Sequence, residues 1–439
     1  MSDWGVDRGV RVLKGVRHFR HRIRRKMDIM FDAYLNSEGD FPMCDSPVWI
    51  FGRSYSVNYD LDELRRSVAS CMWVTYRKNF GSVGETSLTS DKGWGCMIRT
   101  GQMFMAKALI LRHLGIDWHW EPDSRDPSYL KIVSLFADLN SAPFSLHQIA
   151  QTGSTLGKPV GTWLGPNTVC QAFKKLLSSG ATGLDLTMHI AMDSTLVQSE
   201  VKRLCLSHPS INPFASATIP SSSIINTPRI DPKWRPLLLI VPLRLGLSDL
   251  NEAYVPGIKA VFEIPQSIGI IGGRPNHALY FIGYAENEVL YLDPHTVQPT
   301  VHVGSKLDES EKAADETYHS QKPGRMSFLA MDPSIALCFY CKSEADFDSL
   351  CRKLTDRFSV IPLPLFEICE RRPQDWTTSD PIFMSSPRSN SSGGRNSPGG
   401  FTSIGLPGSS SSNSKTRMGS SSSSTFSGDV DDEEFEILG

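Results

Sequence analysis

A cysteine becomes a strong nucleophile when it is held as thiolate, and Cys96 is placed for that. It follows Gly93-Trp94-Gly95 and opens an amphipathic run. A helix N-terminus presents unpaired N–H groups and the positive end of the helix dipole, both of which favour a thiolate. The glycines let a substrate backbone approach closely, and the Cys96 N–H can point at a developing oxyanion. The plainer reading, a small core residue, stays open until a base is found.

Thiol catalysis needs an imidazole near the sulfur and usually a third group that orients it. Of eleven histidines, His295 stands out because Asp293 precedes it by two residues with Pro294 between them. Proline pushes Asp293 to extended backbone, and in an extended segment residues i and i+2 share a face. The carboxylate would then fix the imidazole tautomer and stabilise its cation. The same three residues also spell an ordinary Asp-Pro turn with an incidental histidine. His277, just before a strand, is the rival base, or simply a polar strand residue. His18, His21 and His319 sit in basic or polar contexts that predict exposure. The Tyr76 hydroxyl could donate to an oxyanion, although residue type alone favours a packed aromatic. No metal or phosphate site is expected. Cys338 and Cys341 form a lone C-x-x-C in an apolar strand, which predicts core packing, and Gly272-Gly273 lacks a phosphate-loop pattern.

These residues must be carried by ordered elements. Met97, Ile98, Phe104, Met105, Ala108, Leu109, Leu111 and Leu114 recur at helical spacing, with Gly115 as a stop. A second helix is expected after Asn167, carrying Val169, Ala172, Phe173 and Leu176 and ending near Gly180. Residues 236–243 read as a buried strand. A helix around Ala253–Phe262 would hold Pro256 in its first turn. Ser267–Ile271 and Ala278–Tyr284 read as strands, and a turn at Glu286–Glu288 leads into a hairpin with Val289–Asp293. Ile335–Cys341 is a further strand, and Ser343 with Asp346 resembles a capping box for a helix carrying Phe347, Leu350 and Leu354.

Composition sets the frame. The 439 residues are 40% hydrophobic, enough to bury a sizeable core, and the formal net charge of −2 predicts no nucleic-acid partner. No apolar run approaches the roughly 20 residues that span a bilayer. The N-terminus lacks a signal peptide's apolar stretch. Nine widely spaced cysteines suit a reducing compartment, so the expected location is cytoplasmic. Residues 1–40 form a basic arm, read as flexible. A peptidase domain is expected over 41–376, with a Ser/Pro-rich surface insertion at 206–233. Residues 377–428 read as a disordered linker: 18 of the 44 residues in 385–428 are serine, too few of them apolar to fold. Residues 429–439 are acidic, then apolar.

Together these residues resemble the autophagins, cysteine peptidases that process the ubiquitin-like modifier of autophagy. The matching stretches run in family order from about residue 45 to 300. They are Trp49–Arg53, Thr75–Phe80, Thr89–Met97, Trp163–Asn167, Pro242–Gly246, Gly272–Asn276 and Tyr291–Thr296. The resemblance implies an α+β, papain-like fold with a short helical arm. It implies Cys96 as nucleophile, His295 as base, Asp293 as its partner and Tyr76 in the oxyanion hole. Trp163 would sit over the nucleophile, and the loop around Ile268–Asn276, with Gly272, Gly273 and Pro275, would lift when substrate enters. The implied partner is a GABARAP-type modifier, met as a free precursor or joined to phosphatidylethanolamine, with transient membrane contact through the lipidated form. No cofactor is implied. Phe435-Glu436-Ile437-Leu438 resembles the family's modifier-interacting motif, which can add as a strand to a sheet edge. Two other readings remain: a peptidase of a different ubiquitin-like modifier, and a catalytically silent protein that only binds the modifier.

Overall fold

Leu237–Arg244 is apolar at almost every position, as a strand buried on both faces requires. Leu238 and Ile240 point into one core; Leu237, Leu239, Val241 and Leu243 point into another. The same alternation sorts Ala336, Cys338 and Tyr340 from Ile335, Leu337, Phe339 and Cys341 along Ser334–Cys341. Cys338 and Cys341 therefore lie on opposite faces of the sheet and cannot share a metal, in keeping with core packing. The protein is described here by a computed structural model that covers residues 41–372, except 43, 124–125, 181, 207–232, 304–308 and 321. The basic arm, almost all of the expected insertion, the Ser-rich linker and Phe435–Leu438 lie outside the described residues.

Among the described residues, one sheet of nine strands organises the fold. Its main path runs Gly324–Ser327, Glu288–Leu292, His277–Ala285, Ser267–Arg274, Ser334–Cys341, Leu237–Arg244, Thr187–Ile190. Val48–Ile50 pairs with both Arg53–Tyr55 and His277–Ala285. Every pairing is antiparallel except that of Thr187–Ile190 with Leu237–Arg244. That parallel pairing stops at Ile240, so Pro242 stands where no neighbour on that side needs its missing N–H. Helices Cys96–His113 and Pro166–Ser178 cover the first core; Val255–Phe262 and Glu344–Ser359 cover the second.

The expected elements are present, with small shifts at their ends. Helix Cys96–His113 ends at Leu114, and Gly115 adopts φ +94°, the left-handed stop that glycine takes without penalty. Pro166, rather than a residue after Asn167, opens the next helix, because a missing N–H costs nothing in a first helical turn. The Ser343 hydroxyl accepts from the Asp346 N–H at 3.2 Å, and Phe347, Leu350 and Leu354 are fully buried.

His319 is a correction. Expected at the surface, it is 9% exposed and stacks on Trp120 with ring centroids 3.8 Å apart. Its ring nitrogens meet the Tyr129 hydroxyl at 2.7 Å and the Ala69 carbonyl at 2.6 Å. These partners are 190 and 250 positions away in sequence, beyond what local context can show.

Candidate active site

Cys96 is the first residue of an 18-residue helix and is 3% exposed. The loop that delivers it is held by Asp91. The Asp91 carbonyl accepts from the N–H groups of Trp94 at 3.2 Å and Gly95 at 2.9 Å. Its carboxylate accepts from the Arg77 N–H at 2.7 Å and from Arg99 Nε at 2.7 Å. Arg99 in turn reaches Asp138 at 2.8 Å. Arg99 is 1% exposed, so this cation is stable only because two carboxylates surround it. Gly95 packs directly on the Asp91 side chain, where any added methyl would collide with the carboxylate. The glycine before the thiol is thus required by packing at this loop as well as by substrate access.

Asp293 and His295 meet, but not as adjacent side chains on an extended strand. The strand ends at Leu292, and Asp293-Pro294-His295 makes a turn. Within it, Asp293 Oδ1 accepts from the His295 N–H at 2.8 Å and bonds His295 Nδ1 at 2.6 Å. The turn and the oriented pair, posed as alternatives from sequence, are the same structure. The carboxylate closes the turn with the backbone of the residue whose ring it orients. The opposite ring nitrogen of His295 is left to face Cys96, with which the side chain hydrogen-bonds.

Tyr76 is strapped to the same turn. Tyr76–Lys78 pairs in parallel with Val297–Pro299, and the Tyr76 N–H donates to the Pro294 carbonyl at 2.8 Å. Trp73 Nε1 donates to the Asp293 carbonyl at 2.7 Å. The Tyr76 ring meets His295 edge-on at 5.2 Å, and its hydroxyl hydrogen-bonds the Cys96 sulfur and the Gly93 backbone. Tyr76 is therefore both a buried aromatic and a donor at the thiol.

The electrostatics single out one thiol of nine. Burial pushes the other eight cysteines up, Cys205 and Cys351 to about 12. Burial acts on Cys96 in the same sense. There it is outweighed by the bond to His295 and its charge, the Ala278 N–H and the Tyr76 hydroxyl, so the net shift is downward. Burial likewise opposes the His295 cation, but Asp293 and Cys96 raise it to about 9. Asp293 is held well below the usual carboxylate range: burial would raise it, and the bonds and charges of His277 and His295 overcome that. The arrangement favours a thiolate–imidazolium pair over the neutral thiol and imidazole.

The expected gating segment is mostly sheet. Gly272 and Gly273 lie within Ser267–Arg274, paired with Leu279 and Ala278. A side chain at Gly273 would run into the backbone of His277. The long loop expected around Ile268–Asn276 thus narrows to an exposed hairpin tip at Pro275 and Asn276. Ladder hydrogen bonds hold the rest, a correction that follows from strand pairing outcompeting the glycines' freedom. Trp163 is half-buried just before the helix Pro166–Ser178 and packs against the first core.

Sequence reasoning treated His277 as a rival to His295; the structure makes it a companion. His277 Nε2 lies 3.3 Å from Asp293 Oδ2, and its ring stacks on His295 with centroids 3.4 Å apart. Hairpin counting would have found it. Tyr280 pairs with Leu292, and three steps further along each strand reach His277 and His295. The sequence reading also expected no metal-ligating cluster. Among the described residues, donor atoms of His277, Asp293 and His295 all lie within 4.8 Å of one another, but the two stacked rings do not aim their nitrogens at a common point.

Comparison with known proteins bears on this geometry. Residues 61–353 match the Peptidase C54 catalytic domain, a span that contains Cys96, Asp293 and His295. The chain is 43% identical over 368 residues to the chicken (Gallus gallus) cysteine protease ATG4B, covering 81% of this chain and 92% of that protein. It is 42% identical to the ATG4B of Xenopus laevis, over 79% of this chain and 89% of that protein. It is 41% identical to the mouse (Mus musculus) cysteine protease ATG4A, over 79% and 87% respectively.

Proposed function

This chain belongs to the peptidase C54 family, the ATG4 cysteine proteases of papain-like α+β fold, and from that premise we propose that it cleaves after the C-terminal glycine of a GABARAP-type ubiquitin-like autophagy modifier. The observation that carries the reading is the single down-shifted thiol, at a helix start, bonded to an imidazole that a carboxylate orients. In this proposal the Cys96 thiolate attacks the glycyl carbonyl. The Tyr76 hydroxyl and the Cys96 N–H receive the oxyanion. His295 gives its proton to the departing amine, then takes one from the water that hydrolyses the thioester. Asp293 keeps the imidazole in register and stabilises its cation. The same steps act on an extended precursor and on the amide that joins glycine to phosphatidylethanolamine, so we propose both maturation and delipidation.

The burial of the sulfur supports a substrate that enters as a thin, flexible tail. Glycine at the cleaved position has no side chain to clash at a thiol only 3% exposed. Trp163 and the tip at Pro275 are the proposed walls of that entry. We further propose that Phe435, Glu436, Ile437 and Leu438 tether the modifier through the Ser-rich segment, raising its local concentration. The proposed location is the cytoplasm, with membrane contact made through the lipidated substrate.

The test uses the full chain with a GABARAP-type precursor extended beyond its glycine and, separately, with the phosphatidylethanolamine conjugate on vesicles, products read by intact mass. Cleavage after glycine in both is expected. Cleavage of the precursor alone would remove delipidation; cleavage of neither, with a panel of other modifiers cut instead, would overturn the modifier assignment. In the same assay, Tyr76→Phe is expected to lower kcat by about 10²-fold with KM little changed, the mark of a donor used mainly in the transition state. An unchanged kcat would take Tyr76 out of the oxyanion hole.

A further inference from the structure

A histidine base turns about two side-chain torsions, yet its catalytic nitrogen must meet the sulfur in one orientation. Displacing a reacting group by about 1 Å can cost about 10²-fold in rate. Asp293 Oδ1 fixes one point of the His295 ring, Nδ1 at 2.6 Å. One bonded point leaves the ring free to swing about it. The carboxylate that supplies the point is itself loosely set: the Asp293 side chain is 40% exposed, and the terminal torsion of an aspartate is broad. Both groups need a second restraint, and His277 touches both.

The two contacts restrain different motions. The His277 and His295 rings stack with centroids 3.4 Å apart and planes 12° from parallel. A ring pressed face to face on another cannot tilt without losing dispersion contact. His277 Nε2 lies 3.3 Å from Asp293 Oδ2, while Oδ1 already serves the His295 N–H and ring. The carboxylate is thus held at both oxygens and spans the edges of two stacked rings. His277 itself is set by the ladder: it pairs with Arg274 across the hairpin and opens the strand His277–Ala285. A neutral His277 suits both contacts. Its Nε2 keeps the proton that Asp293 accepts, and an uncharged ring can lie on an imidazolium that a second imidazolium would repel. The groups around it act in that sense. Burial, then the charges of His295 and Arg274, outweigh Asp293 and push the His277 imidazole down.

We propose that His277 is a positioning residue for the base: its ring clamps the plane of His295, and its Nε2–H holds the second oxygen of the carboxylate that orients it. In this role His277 exchanges no proton with substrate. Both halves of the reaction use His295 in the same place, first to protonate the departing amine and then to deprotonate water, so a loose ring slows both. The donor has a second effect. A hydrogen bond at Oδ2 draws charge from Asp293 and leaves less of it to support the His295 cation. His277 therefore sharpens the geometry of the base and moderates its basicity. The inference rests on the reading of His295 as the base for Cys96.

The experiment compares wild type with His277→Ala, His277→Phe and His277→Gln, using precursor cleavage for kcat and KM and ring-proton NMR for the His295 titration. Alanine removes both contacts and is expected to lower kcat by about 10- to 10²-fold, with KM within about twofold of wild type. Phenylalanine restores a flat ring without a donor. It should recover most of that loss, and its His295 titration and alkaline limb should move up by about half a pH unit. Glutamine restores a donor without the flat face. It should keep the wild-type titration, while its kcat stays within about threefold of the alanine variant. A residue that only stabilised the strand would lower the melting temperature and leave the His295 titration unmoved in folded His277→Phe. That pattern, or a kcat for His277→Ala within about threefold of wild type, would overturn the proposal. A raised KM with unchanged kcat would overturn it too, since His277 would then serve substrate binding at the hairpin tip. Failure of wild type to cleave any modifier precursor would count against the underlying reading instead. The titration needs no substrate, so it judges His277 in either case.

Discussion

Cys96→Ala is expected to abolish cleavage after glycine, with kcat falling by about 10⁶-fold, the scale seen when a nucleophile acting as part of a catalytic unit is removed. The protein should remain folded and should still bind the modifier. Cys96 is a small side chain at a helix start, and alanine fills most of its volume while keeping the helical backbone. A second readout ties the loss to the proposed ion pair. The raised pKa of His295, about 9, rests partly on the hydrogen bond and charge of Cys96. Removing the sulfur withdraws those contributions, so His295 should titrate at lower pH in the variant, as followed by NMR of the ring protons. Residual cleavage within tenfold of wild type would exclude Cys96 as the nucleophile. An unmoved His295 titration in an inactive variant would mean that the two groups are not coupled in solution.

Asp293→Asn should cost about 10³–10⁴-fold in kcat/KM, because the amide can hold the ring but no longer stabilises its cation or selects the productive tautomer. The pH profile should also change shape. The active thiolate–imidazolium pair exists above the lowered pKa of Cys96 and below that of His295, near 9. Activity in the wild type should therefore rise on the acid side as the thiol ionises and fall as pH passes through about 9. Without the carboxylate, the His295 pKa drops and the thiolate loses part of its partner's charge. The alkaline limb moves down, the acid limb moves up, and the window narrows from both sides. Stability should follow the same sign. A histidine whose pKa is raised on folding stabilises the native state fully below its unfolded pKa of about 6.5, and that contribution disappears as pH rises through the folded value. The gap between wild type and Asp293→Asn in urea midpoint should thus be larger at pH 6 than at pH 10. Two coincident pH profiles, differing only in height, would show that Asp293 acts on geometry alone.

Much of the fold could be read in advance. Periodicity located the helix after Gly95, the strand Leu237–Arg244 and the hairpin that brings the chain to Asp293, because burial leaves a mark on every second or every third to fourth residue. The ends moved where one residue's chemistry overrode the pattern, as Pro166 did by opening its helix early. The candidate site was legible in its residue types. Its geometry was less so. Asp293 and His295 were expected to meet through strand alternation, and they meet through a turn closed by the carboxylate itself. The resemblance implied a lifting loop around Ile268–Asn276, and ladder pairing holds Gly272 and Gly273 in a strand.

The sequence by itself determined which atoms are available: one cysteine behind Gly-Trp-Gly, an aspartate two residues before a histidine, and a tyrosine just before Arg77-Lys78. These depend on local order, and local order is written in neighbouring residues. What tertiary structure alone decided is which of those atoms share a space. Cys96 owes its lowered pKa to His295, Tyr76 and the Ala278 N–H, all distant in the chain. The same burial, without such partners, drives the other eight thiols the opposite way. His277 joined the site only through hairpin register, and Asp91 with Arg99 and Asp138 set the nucleophile's loop from within the core. Electrostatic energy depends on separation in space and on the surrounding dielectric, and neither is a function of distance along the chain.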